Sequence, residues 1–242
     1  MLSRTEEPVR PTTLVLTRPA TAVLMLSLAL AGACRPVADS PLVQAAAEGR
    51  ADDVARLLAR GSSPGERSAR GSSALALAAQ AGHVAVIEQL IMAGADPDIR
   101  DRSENQWTPL LHAVDTHQQG AVRTLLSHGA DSNLGSGLTP LIMAAGFGDT
   151  GMVRLLLDHG ADPHARTKSG ENALGAAVGK CRTDTVRLLL DRAPDLRLEM
   201  FWASRPMMWP ARLGGCRDLV DVARGREGEG FPVKDEPRGS RR

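Results

Sequence analysis

Three stretches decide how this chain is read: QLIMAGADPD at residues 89–98, TLLSHGADSN at 124–133 and LLLDHGADPH at 155–164. A catalytic loop is needed once, whereas a phrase that returns at a near-constant interval belongs to a building unit. Gly61, Gly94, Gly129 and Gly160 step by 33, 35 and 31 positions. A second phrase precedes each glycine in phase: SALALAAQAGH from Ser73, TPLLHAVDTHQ from Thr108, TPLIMAAGFGD from Thr139 and NALGAAVGKCR from Asn172. Extending the period outward finds SPLVQAAAEGR from Ser40 and RPMMWPARLGG from Arg205, giving about six units that start near 40, 73, 108, 139, 172 and 205. The long and short steps together make two periods. This places a two-residue insertion in one loop and a two-residue deletion in the next, with the helices left intact.

Each unit reads as two short helices. The first opens at a hydroxyl that can cap free backbone N–H groups, with Pro next in Thr108–Pro109 and Thr139–Pro140. Small residues such as Ala78, Ala79, Ala144 and Ala145 follow, so neighbouring helices can lie close. The second helix carries apolar residues at helical spacing, as in Val153, Leu156 and Leu157, and ends at a Gly suited to a left-handed C-cap. No unit buries its apolar face alone; stacking does so. The Thr-Pro-Leu-x-x-Ala start, the Gly-Ala-Asp end and the 33-residue period resemble the ankyrin repeat over roughly 40–224. The resemblance implies an all-α solenoid of helix-turn-helix units joined by short β-turn or hairpin loops, presenting an extended concave face. Unit one has Ser62-Ser63 in place of Ala-Asp, and unit six has Pro210 inside its first helix, so both are expected to be caps.

The segments outside the repeat read differently. ATAVLMLSLALAGA, 14 uncharged residues from Ala20, follows Arg18. It is short for a membrane span, which needs about 20 apolar residues, and it has the layout of a secretory signal over 1–33. LAGAC, ending at Cys34, resembles a bacterial lipobox, which implies lipidation of Cys34 and membrane attachment through that lipid only. A plain signal cut after Ala33 and an uncleaved anchor are the competing readings. The expectation is an exported protein of the periplasm or cell envelope, with a short linker at 34–39 and a charged, Gly- and Pro-rich tail at 225–242 that cannot bury enough to order itself.

Composition narrows the function classes. Lys and Arg number 29 against 28 Asp and Glu, a net charge of +1 that gives no general attraction to nucleic acid. No cofactor or metal site is legible. His128 and His159 recur just before the unit glycine, where a helix C-terminus favours them, and His112 and His117 are five apart with no further ligand beside them. GAAVGK at 175–180 has the wrong spacing for a phosphate loop, and Cys181 stands where Ser or Thr is needed. Subtracting the period from Cys216 gives 183, two positions from Cys181, so the two thiols fall at one turn of adjacent units; a disulfide and two free thiols are both open. A non-enzymatic, monomeric protein-binding module is therefore expected, with a structural envelope spacer, and a small enzyme or stress-protective factor bearing a site in the long loop DPDIRDRSENQW, as alternatives.

The resemblance also implies where a partner touches: the residue before each unit start and two residues late in each first helix. On this chain those positions hold Trp107, Leu138 and Phe147, expected to form one apolar patch rimmed by Arg102, Asp115, Glu171 and Lys180. No feature of the sequence names the partner protein.

Overall fold

The computed structural model describes residues 39–102, 105–135 and 137–197. The expected leader with Cys34, the sixth unit with Cys216 and the charged tail lie outside the described residues. Among those described are five helix pairs: α1 (Pro41–Ala47) with α2 (Ala51–Ala59), α3 (Ala74–Ala81) with α4 (Val84–Met92), α5 (Pro109–Asp115) with α6 (Gln119–Ser127), α7 (Pro140–Phe147) with α8 (Thr150–Asp158), and α9 (Ala173–Gly179) with α10 (Thr183–Arg192). First helices run seven or eight residues and second helices nine or ten. Helix length is thus held constant while the loops absorb the uneven steps of the repeat.

The capping residues set the register. Ser40, Ser73, Thr108, Thr139 and Asn172 are the N-caps of the five first helices. Each side-chain oxygen accepts a backbone N–H three residues on, at 2.9–3.4 Å, relieving one of the donors a helix start leaves open. Pro41, Pro109 and Pro140 occupy positions whose N–H has no partner within the helix. The loops ahead of units two and five close as hairpins through the isolated antiparallel bridges Arg67–Ser73 and Arg166–Asn172.

Burial follows the period. Leu42, Leu75, Leu110, Leu141 and Leu174 form a ladder of fully buried side chains through the first helices, and Val54, Ile87, Val122, Val153 and Val186 form one through the second. All belong to one hydrophobic cluster that runs from unit one to unit five. The buried alanines Ala45, Ala46, Ala78, Ala79, Ala113, Ala144, Ala145 and Ala177 let the first helices approach one another, and that layer packs more tightly than the layer of second helices. The turn between the two helices needs a left-handed residue. Gly49, Gly82 and Gly148 supply it, and a Cβ on Gly82 would collide with the Gln118 side chain of the next unit. In units three and five the same position holds His117 and Cys181, each at φ 58°, a conformation that costs an L-residue about 1 kcal/mol or more.

Candidate functional site

The residues at the exposed edge of the first-helix layer fall into two rows, one at the hairpin end and one at the inter-helix turn. Trp107 and Leu138 stand at the hairpin end, directly before the caps Thr108 and Thr139. Both are half-buried and packed against the hydrophobic cluster. Trp107 also meets the ring of His112 edge-on, with centroids 5.3 Å apart. Phe147 stands at the last residue of α7, at the turn end. It is 38% exposed, and its ring lies against His117, with centroids 4.8 Å apart.

The one continuous patch expected from the sequence is thereby divided. Trp107 and Phe147 occupy positions nine residues apart in the unit, about 13 Å along the helix direction, and each ring contacts a different histidine. The reason is reach: a residue beside an N-cap folds down onto the core between units, whereas a residue at the end of a short helix projects past it. Leu138 follows Trp107 in this. Of the expected rim, Arg102 is exposed on the hairpin and its backbone N–H donates to the Gly71 carbonyl at 3.2 Å. Asp115 is half-buried and Lys180 is exposed. Glu171 is half-buried, and that burial pushes its carboxyl above the ordinary carboxylate range, an effect opposed by the charge of Lys180. Glu171 and Lys180 are therefore electrostatic neighbours.

A buried polar cluster sits under Trp107. Asp101 is 4% exposed. One carboxylate oxygen accepts the Ser72 hydroxyl at 3.1 Å and lies 2.6 Å from His112 Nε2; the other accepts the Ser73 backbone N–H at 3.3 Å. A carboxylate only accepts, so the proton of the His112 contact sits on Nε2. Ser, His and Asp are the inventory of a hydrolytic triad, but in the wrong order: the serine binds the carboxylate rather than the imidazole, so no base is placed to activate it. The cluster instead ties the hairpin before unit three to the start of unit two.

The turn end has its own links. His117 Nδ1 lies 3.5 Å from the Asp149 carboxylate, and Gln119 donates to the same carboxylate at 3.3 Å. Asp149 also caps α8 by accepting the Met152 N–H at 2.9 Å. Sequence reasoning passed over this cluster and over Met92, a side chain 74% exposed at the end of α4. Cys181 occupies the left-handed turn position and is disulfide-bonded; Cys216 is outside the described residues. Among the described residues no group of three or more His, Cys, Asp or Glu is arranged to hold a metal ion, and no helix is long and apolar enough to cross a membrane.

Stacked antiparallel helix pairs with capped starts and glycine-closed ends define a helical-repeat solenoid, a class built around an extended binding face. A family model described as ankyrin repeats (three copies) matches residues 42–136 and 132–200, and the chain belongs to the ankyrin repeat family. It is similar to an ankyrin repeat-containing protein of Treponema pallidum (strain Nichols), 35% identical over 113 residues. That match covers 46% of this chain and 37% of the relative, so the chain spans well under half of the relative's length. Ankyrin repeats are general protein–protein interaction modules, and the family is typically non-enzymatic.

Proposed function

We propose that the chain is an exported, lipid-anchored protein-binding module that holds a partner protein on its first-helix face, centred on Phe147. The observation that carries the reading is the exposure of Phe147 at the end of α7, with its ring backed by His117 and with Glu171 and Lys180 in the adjoining unit. An apolar ring in a polar rim gives a partner a desolvated anchor, and charges around it fix orientation more than affinity. Trp107 and Leu138 support the same face from below, by packing, and Arg102 and Asp115 mark its outer edge. Export and attachment at Cys34 rest on the apolar run from Ala20 and the LAGAC motif.

The test is site-specific photo-crosslinking in intact envelopes, with the crosslinking residue placed at 147 in one protein and at the more exposed position 92 in another. A discrete crosslinked protein from 147, with none from 92, is the expected result. The same products from both positions, or none from either, would leave no partner on this face and would favour a structural spacer.

A further inference from the structure

Units two to five bury the same face against their predecessor, and unit one is the exception among the described residues. Positions filled by Val86, Ala121, Met152 and Thr185 in units two to five are buried, and so are Leu90, Leu125, Leu156 and Leu189. In unit one the corresponding residues are Asp53 and Leu57, both only half-buried. They line an open cleft of about 310 Å³ with Gln44, Arg50, Arg56 and Arg60. Arg50 and Arg56 both pair with Asp53, Arg50 also pairs with Glu48 at 2.8 Å, and Arg56 keeps a side chain 68% exposed. Arg60 is exposed, and its side chain takes part in no hydrogen bond or ion pair among the described residues. Arg60 is the C-cap of α2 and follows Arg56 by four positions, about one helical turn, and both line the cleft, so two planar guanidinium groups are within reach of one anion, a chemistry that suits a phosphate diester.

The distance from the anchor supplies the occupant. Pro41 lies seven positions after Cys34, a reach of at most about 25 Å when extended, and Arg35 adds a positive charge at the membrane end. A unit held so close to a bilayer stands within range of its surface charge whenever it tilts toward it, since that field decays over a Debye length of about 8 Å. We infer that the open end of unit one is a membrane-facing surface, which rests anionic phospholipid headgroups against Arg56 and Arg60 and so stands the solenoid upright with its partner-binding face away from the bilayer. The inference rests on the lipid anchor proposed above.

Arginine footprinting tests it. The full-length protein is expressed in a bacterial host, purified from its membranes and reconstituted into vesicles of phosphatidylcholine alone or with phosphatidylglycerol. Modification by phenylglyoxal is followed residue by residue, and the mass of the N-terminal peptide is read from the same sample. The expected result is a lipidated Cys34, with Arg56 and Arg60 modified about threefold more slowly or less on the anionic vesicles, protection that 0.5 M salt removes in accordance with screening, and Arg123 and Arg154 unaffected. An Arg50→Glu/Arg60→Glu variant, altered only at exposed side chains, should lose the protection at Arg56. A lipidated Cys34 with Arg56 and Arg60 equally reactive on both vesicles overturns the surface while leaving the anchor in place; a Cys34 without lipid overturns the anchor and, with it, the surface. Protection that persists on neutral vesicles, or that inorganic phosphate alone reproduces, also overturns it, because another part of the protein or a free anion would then fill the cleft.

Discussion

Trp107 and Phe147 obey one register rule and have different fates. Both fall at positions where the resemblance to the repeat family implied a partner contact, and both touch a histidine of unit three. Trp107 is drawn into the joint between two units, over a carboxylate that three groups share. Phe147 is pushed out at a turn, against an imidazole that occupies a glycine position. Register gives the direction of a side chain, while the local joint decides whether its surface is buried for stability or left for binding.

The largest effect expected from this contrast is on the Trp107 side. Asp101→Ala leaves the Ser72 hydroxyl, the Ser73 N–H and His112 Nε2 without their acceptor, and it should cost about 3 kcal/mol in urea unfolding, given roughly 1–3 kcal/mol for each buried polar group stranded and partial recovery by water. A loss below about 0.5 kcal/mol, the size of a neutral surface change, would show that the cluster does not hold the joint. The opposite sign is expected at the turn. His117→Gly removes a left-handed L-residue and should raise stability by up to about 1 kcal/mol, while partner binding weakens because Phe147 loses its backing ring. If stability falls instead, the His117 contacts with Phe147 and Asp149 outweigh the backbone cost.

The smallest effect concerns Asp98. Its carboxyl is raised by burial, although it accepts the Asp131 N–H at 3.0 Å. One unit on, Asn133 makes the same bond to the Asp162 N–H at 2.7 Å without a charge. A carboxyl whose folded value is raised binds more protons folded than unfolded, so its stability contribution declines as pH climbs from the ordinary carboxylate value, about 4, through the raised one. Asp98→Asn keeps the bond and removes that decline. Its melting temperature should match the parent's near pH 3.5 and exceed it at pH 7. An equal difference at both pH values would assign the gain to something other than this ionisation.

Much of the fold was legible because it is periodic. The three GAD phrases set the interval, and the N-caps Ser40, Ser73, Thr108, Thr139 and Asn172 fall on the starts it gives. The uneven steps are taken up in loops, as equal helix lengths require. The candidate site was less legible. Exposure at Trp107 depends on a carboxylate that meets Ser72 and Ser73 only when unit two is stacked on unit three; Asp101 and Ser72 lie 29 positions apart in sequence. The pairing was still accessible to the bookkeeping that set Cys181 beside Cys216, because subtracting one period puts Asp101 near Ser68, within the preceding hairpin. His117 was equally visible in principle, as the residue standing where Gly49, Gly82 and Gly148 recur. What no period can give is how far a particular ring reaches, and that separates Trp107 from Phe147.

Replacing each ring separately, and measuring unfolding and partner capture on the same two proteins, decides which ring binds and which one stabilises. Phe147→Ala should weaken capture by about thirtyfold, the roughly 2 kcal/mol of a binding hot spot, with stability unchanged within about 0.5 kcal/mol. Trp107→Ala should lose about 2 kcal/mol of stability from its half-buried ring and retain most of its capture when assayed well below its melting temperature. If Phe147→Ala captures the partner as well as the parent does while Trp107→Ala does not, the binding face lies at the hairpin end and the division drawn between the two rings is wrong.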